Sequence, residues 1–399
     1  MMRISSNTIF DSNIAALSQQ QAKLLQIQQQ IASGRRILTS SDDPAAAARA
    51  LDVSQADATN TQYSSNRDAA RHTLSMAEGT LQSVTSLLQD VRDAMIGAGN
   101  GSLTTNDRKT IAVDLSGRLQ ELVGLANSTD GAGNYLFAGF QSRMQPFAGT
   151  PAGVGYFGDD GQRNVQVSAS WQMASSDSGA DIFMRVKNGN GSFATQAAAA
   201  NTGTGVVSLG SVANPALLTG NNYSVTFSIV GGVTTYDVTN TTTSASVSAG
   251  NAYVSGQAIT FDGIQIDIQA APANGDTFTV TPSANESVFK TISDLVAALN
   301  TPVVGANWAN SLKQGINNLD NALNNVLTTR SSLGLRLNEI DALQTMGDDL
   351  GLQFKKTLSQ LQDVDYNKAA SDLARQQMVL QAAQLSFVKV DNLSLFNYL

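Results

Sequence analysis

The chain has 399 residues and is 42% apolar, enough for two or three domains with real cores. Only 14% of residues are charged, against roughly 25% in ordinary globular proteins, and the net charge is −8, so no basic stripe is available for nucleic acid or an anionic membrane surface. Cysteine is absent, which removes disulfides and thiolate metal or redox chemistry.

From Met1 to Arg36 the sequence is nearly uncharged and rich in glutamine. Ile14, Leu17, Leu24 and Ile31 keep the 3-and-4 spacing of a coiled-coil seam, but Gln21 and Gln28 stand where leucine is expected. The start carries none of the charged, apolar and small-residue regions of a secretory signal, and no stretch approaches about 18 apolar residues. Export, if it occurs, is expected by a route that cleaves no leader. Gly34 is the predicted C-cap of the first helix. Ser40-Ser41-Asp42-Asp43-Pro44 restarts a helix, with Asp43 as its cap and Pro44 at its first position.

A long seam follows. Leu74, Ala77, Leu81, Val84, Leu88, Val91 and Met95 repeat without a break until Gly97-Ala98-Gly99-Asn100-Gly101 ends the helix. A second helix is predicted from Thr104 or Thr105, with Ile111, Leu115, Leu119 and Leu122 on one face. From Gly139 to about Ala284 the pattern is short strands: Val165 to Ser168, Ile182 to Val186, Tyr223 to Val230, Thr234 to Val238, Ile264 to Ile268 and Thr277 to Val280. Gly231-Gly232 signals a hairpin. Helical spacing returns at Leu312, Ile316, Leu319, Leu323, Val326, Leu333, Leu337 and Ile340, interrupted by Arg330, and a C-terminal helix is predicted after Asp348-Asp349. Its seam, Leu373, Leu380, Phe387 and Val390, is again thin, with Gln376 and Ala383 between.

The predicted class is α+β: a long antiparallel helical coiled-coil rod built from both terminal segments, with a central mainly-β domain inserted between them. Its parts are residues 1–44 with 346–399 as a terminal coiled coil, 45–138 with 285–345 as the rod, and 139–284 as the outer β domain. Within the last, 139–190 is expected to pack on the rod and 191–284 to lie outermost. The internal seams have each other for cover. The terminal seams bury too little to offset an ordering cost of about 1 to 2 kcal/mol per residue. The ends are therefore expected to be largely disordered in an isolated monomer and to fold on assembly. Ile14, Leu17, Leu24, Ile31, Leu373, Leu380, Phe387 and Val390 are the expected assembly residues.

Candidate chemistry dissolves residue by residue. His72 is the single histidine, so a usual zinc site is not available, a Ser-His-Asp triad has no candidate beyond this residue, and beside Arg71 it reads as a surface or packing histidine. Gly97 to Gly101 lacks the buried strand before it and the Lys-Ser/Thr after it that a P-loop needs. Gly158-Asp159-Asp160-Gly161 could suggest calcium. However, adjacent carboxylates do not match alternating oxygen ligands, and the run reads as a tight hairpin turn framed by Gly158 and Gly161. Asp363 and Asp365 beside Tyr366 read as solvated helix charges. No catalytic residue, metal or cofactor is expected.

Several motifs together resemble one family. Arg3-Ile4-Ser5 with Asn7, Ile31-Ala32-Ser33-Gly34-Arg35-Arg36-Ile37, Ser41-Asp42-Asp43-Pro44-Ala45-Ala46 and Arg330-Ser331-Ser332-Leu333-Gly334-Leu335-Arg336-Leu337-Asn338 resemble the flagellin superfamily. Asn134-Tyr135-Leu136-Phe137-Ala138-Gly139, Gly158-Asp159-Asp160-Gly161-Gln162-Arg163 and the ending Leu395-Phe396-Asn397-Tyr398-Leu399 are similar to its hook-filament junction branch. The resemblance implies an extracellular flagellar structural protein, exported unfolded by the flagellar type III apparatus with an export chaperone. It would form a ring with copies of itself between hook-associated protein 1 and flagellin. Flagellin itself is the nearest rival, although Pro44 and Ala45 replace the Ala and Gly that flagellins usually carry after the Asp pair. An enzyme displayed on a flagellin scaffold is the remote one, since Asp159, Asp160, Asp177, Asp181, Asp237, Asp262, Asp267 and Asp276 are only scattered carboxylates.

Overall fold

The computed structural model describes residues 6–150, 153–301 and 305–392, with side chains described except at residues 6, 7, 9 and 390–392. Six helices are present among these: α1 Ser6–Ser33, α2 Pro44–Ala98, α3 Thr105–Ala126, α4 Val288–Asn300, α5 Ala306–Gln362 and α6 Tyr366–Asn392. Helical segments at both ends thus flank a central β-rich segment. The chain divides into two compact units, residues 1–65 with 342–399 and residues 66–341.

In the unit 66–341, α2 buries Leu74, Ala77, Leu81, Val84, Leu88, Val91, Met95 and Ala98, an unbroken heptad stripe. Its partner α5 buries Leu319, Ala322, Val326, Leu333 and Ile340, whereas Leu312, Ile316, Leu323 and Leu337 of the predicted seam are only half-buried. The two helices run antiparallel: Arg92 pairs with Asp320, Glu78 with Arg330 and Arg71 with Asp341. Arg330 breaks the apolar repeat because its guanidinium donates to Glu78 Oε1 at 2.6 Å and to Thr85 Oγ1 at 3.4 Å, fixing register with a paired charge. Thr104 caps α3 in a reciprocal box with Asp107, whose Oδ2 accepts the Thr104 N–H at 2.9 Å.

Two hairpins follow α3: β1 Phe147–Thr150 with β2 Gly153–Tyr156, and β3 Asn164–Ser168 with β4 Trp171–Ala174. The strand predicted over Ile182 to Val186 is instead a π-helical turn at Ala180–Met184. Consecutive burial of Ile182 and Phe183 mimics a strand, but Phe183 turns inward to meet Phe137, Phe147 and Phe289 at ring distances of 5.6, 5.4 and 5.9 Å. Phe289 belongs to α4, a helix the strand-and-seam reading overlooked. Val288, Phe289, Ile292, Leu295 and Leu299 form its buried face, and Ser287 caps it.

Beyond β5 Val186–Lys187 come β6 Phe193–Ala197, β7 Val206–Val207, β8 Ser211–Val212, β9 Tyr223–Val230, β10 Val233–Asn240 and β11 Ala245–Ala252. They are followed by β12 Ala258–Phe261, β13 Ile264–Gln269, β14 Thr277–Pro282 and β15 Asn285–Glu286, the last pairing with β5. One sheet has the order β11-β10-β9-β14-β6; the other runs β12-β13-β7, with β8 also on β13. Gly231 and Gly232 at φ 60° and 82° supply the two left-handed positions of the β9–β10 turn. Tyr223, Val225, Phe227, Val238, Ile266, Ile268, Phe278 and Val280 fill the core between the sheets. Asparagines on α5 hold this segment by its backbone: Asn310 bonds Gly205 O and Val207 N, and Asn321 bonds Lys187 O and Gly189 O.

Candidate assembly interface

In the unit 1–65 with 342–399, α1 packs along α6. The half-buried face of α1 carries Leu17, Gln20, Leu24, Ile27 and Ile31, while Ile14 remains 44% exposed. The seam predicted through Ile14, Gln21 and Gln28 is therefore shifted by one residue at those positions, onto Asn13, Gln20 and Ile27. On α6 the facing residues are Leu373, Gln376, Leu380, Ala383 and Phe387, all half-buried. Val390 lies outside the described side chains, as do Arg3-Ile4-Ser5, Asn7 and the closing Leu395 to Leu399. Gln376 donates to the carbonyl and side-chain oxygens of Gln20, so the interruption expected at Gln376 is half of a polar pair across the seam. Phe10 meets Phe387 at 5.4 Å between ring centres.

Burial in this unit is scant. Among the described residues its buried apolar side chains are Ala46, Ala50 and Ala369, whereas Leu25, Leu352, Met378, Leu385 and Val388 are all exposed. At the end of α1 the chain turns sharply. Gly34, at φ +70°, lets Val364 N–H reach its carbonyl at 2.9 Å, and Arg36 N–H donates to Gln362 O at 2.7 Å. The α5 helix continues through Asp348-Asp349, so the predicted break there is displaced to Asp363–Asp365. There the Asp365 carboxylate caps α6 by accepting from Asn367 N and Lys368 N, and the Asp363 backbone forms an antiparallel β-bridge with Arg35. Both aspartates are exposed, but they lie at this break between α5 and α6 and not within a helix.

Asp43 Oδ1 accepts Ala46 N–H at 3.0 Å and Oδ2 takes Arg36 at 3.2 Å, with Pro44 opening α2. The Ala46 amide, then Arg36, holds the Asp43 carboxyl below its ordinary range. Asp42 is held down in the same way, chiefly by the Thr39 amide and then by Leu38. The turn is thus an anion held by backbone donors and an arginine.

Gly158 to Gly161, in the other unit, corrects a second expectation. This run is not a hairpin turn, because β2 pairs with β1 and β3 with β4. Asp159 instead reaches across to accept Phe140 N at 2.8 Å and Gln141 N at 3.1 Å, and Asp160 pairs with Arg185 at 2.7 Å. A Cβ on Gly161 would fall 2.0 Å from the Phe140 ring, and one on Gly158 2.5 Å from the Tyr156 hydroxyl. Other carboxylates of the β segment are taken up locally: Asp177 by Arg336, Asp262 by the Tyr223 hydroxyl, and Asp276 by the Thr202, Gly203 and Ala273 amides. Among the described residues no three His, Cys, Asp or Glu side chains gather in one place, and no helix is long and apolar enough to cross a membrane. His72 is exposed on α2.

Residues 4–142 match the bacterial flagellin N-terminal helical region, and residues 316–399 match the bacterial flagellin C-terminal helical region. Flagellar hook-associated protein 3 of Salmonella typhimurium is 30% identical over 400 residues, covering 99% of each chain. This chain belongs to the flagellar hook-associated protein 3 family. A crystal structure of hook-associated protein 3 from Legionella pneumophila superposes with a TM-score of 0.73 at 34% identity, over 77% of this chain and 98% of that one. Flagellin of Listeria monocytogenes, by contrast, is 28% identical over 129 residues, covering 32% of this chain and 45% of its own. Residues 196–282 match a D2-like domain of flagellar hook-associated protein 1. Members of the hook-associated protein 3 family are structural junction components of the bacterial flagellum. In this member the helical ends are what it shares with flagellin, and the sheets around Phe227 and Phe278 are what it shares with hook-associated protein 1.

Proposed function

We propose that this chain is a non-enzymatic adaptor, a ring of copies that joins the hook, through hook-associated protein 1, to the flagellin filament. The observation that carries the reading is the unequal filling of the two units. Residues 66–341 bury leucine, valine and phenylalanine throughout. Among the described residues, 1–65 with 342–399 bury three alanines as their apolar side chains and leave long apolar side chains outside. Such a unit gains its missing cover from neighbours. Accordingly, residues 1–44 with 346–399 would form the inner tube through Leu17, Leu24, Ile31, Leu373, Leu380 and Phe387. Residues 139–284 would face outward. A thin terminal seam and the absence of thiols also suit export as an unfolded chain through the type III apparatus.

The test is deletion of Leu380 to Leu399. The truncated chain should keep the thermal transition of residues 66–341 but fail to enter flagella, leaving hooks without filaments and flagellin shed into the medium. Normal swimming by that strain would sink the proposal. Long homopolymers grown from seeded monomer would point to flagellin instead.

A further inference from the structure

The first turns of α2 and the segment leading into them bound an open groove of about 500 Å³. Ile37, Leu38, Pro44, Ala47 and Leu51 line it together with Arg35, and Leu51 is 71% exposed. In the same unit α5 presents a ridge of complementary character. Met346 and Leu350 stand one turn apart, 58% and 45% exposed, with Asp349 beside them. Neither Arg35 nor Asp349 forms an ion pair among the described residues.

The ridge cannot fill the groove of its own chain. Asn60 donates to Gly347 O at 2.8 Å, and Gly351 lies so close to Asn60 that a Cβ would sit 3.3 Å from its amide. Leu51 is nine residues before Asn60, about 14 Å away along the helix. The chain thus carries an apolar groove with a cation at its edge and, apart from it, an apolar ridge with a carboxylate, neither charge in an ion pair among the described residues.

We infer that the Met346–Leu350 ridge of a second copy of this chain seats in the groove around Leu51, with its Asp349 against Arg35. This rests on the ring assembly proposed above. Each copy then offers a groove to one neighbour and a ridge to the other, the head-to-tail contact that a closed ring requires. The apolar anchors supply the burial that the unit lacks by itself, and the ion pair fixes the direction of the contact.

Because the chain has no cysteine, an introduced thiol is the only one each copy of it carries. Two single-cysteine chains, Leu51→Cys and Leu350→Cys, are produced in one strain, and its isolated flagella are mildly oxidised. A disulfide dimer joining the two different chains is expected, with none from either chain alone. Both chains in flagella without the mixed dimer, or pairing of Leu51→Cys with itself, would overturn the groove contact while leaving the junction reading intact. If the wild-type chain is missing from flagella, the junction reading falls and the contact with it. As a second measurement, Arg35→Asp and Asp349→Arg should each lower incorporation about tenfold, and combining them should restore it. Single reversals without effect would count against the contact.

Discussion

At Asp159 one carboxylate accepts three backbone amides, from Phe140, Gln141 and Gly161. These bonds, the Phe140 amide foremost, favour the charged form and hold the carboxyl below its ordinary value of 3.8. A depressed native value stabilises the folded loop above the unfolded carboxyl's pKa, and that stabilisation is lost as pH falls through the native value. The protection factors of the Phe140 and Gly161 amides, exchange rates corrected for the intrinsic pH dependence, should therefore be high at neutral pH and fall once pH drops below the unfolded carboxyl's value of about 4. In Asp159→Asn the same amides should have low protection factors at every pH, and unchanged protection would contradict the clamp. Gly139, at φ +68°, leaves room for this carboxylate, since a Cβ there would lie 2.2 Å from Asp159 Oδ1. Gly139→Ala should cost about 1 to 3 kcal/mol, read as a lowered melting temperature of the 66–341 unit. The sequence displays the glycines of this loop plainly. What Gly161 and Gly139 make room for, the Phe140 ring and the Asp159 carboxylate, comes from contacts across some twenty residues that no local pattern encodes.

Among the elements, long periodic seams are the most legible. Leu74 to Met95 is buried at every position because seven-residue spacing leaves an antiparallel partner no other face to cover. The α1 seam is less legible: Ile14 and Ile27 both fit helical spacing, but packing along α6, through Gln20–Gln376 and Phe10–Phe387, half-buries Ile27 and leaves Ile14 exposed. In the β segment, strands with alternating apolar residues such as Tyr223–Val230 announce themselves. The two-residue strands at Val206–Val207 and Ser211–Val212 exist only because β13 accepts them. The π turn at Ala180–Met184 shows tertiary packing overriding β propensity. The contrast between seams is measurable. Leu81→Ala empties a fully buried position and should cost about 2 to 5 kcal/mol. Leu24→Ala removes a side chain that is already half in water and should cost the monomer under about 1 kcal/mol while reducing incorporation into flagella. Equal thermal losses from the two substitutions would show that the terminal seam is as well filled as the internal one.

For the whole molecule, unequal filling has a kinetic consequence. A segment opens locally in proportion to how little apolar surface its closure buries, and proteases cut what opens. In the unit 66–341 every long helix is backed by leucine, valine or phenylalanine, so cleavage there must wait for global unfolding. In the other unit α1 and α6 are held by a half-buried stripe and the Gln20–Gln376 pair, which local fluctuation can break. Limited proteolysis of the monomer should therefore trim inward from both ends and stop near Ser41 and Gly347. There Asp42, Asp43 and the Asn60–Gly347 bond anchor the chain. The same digestion applied to assembled flagella should leave the ends intact, because neighbouring copies would then supply the cover the monomer lacks. Mass spectrometry of the fragments reads both arms. If the monomer resists along its whole length, the ends do not need assembly to order; if assembled chains are trimmed as fast as free ones, the terminal helices are not what the assembly buries.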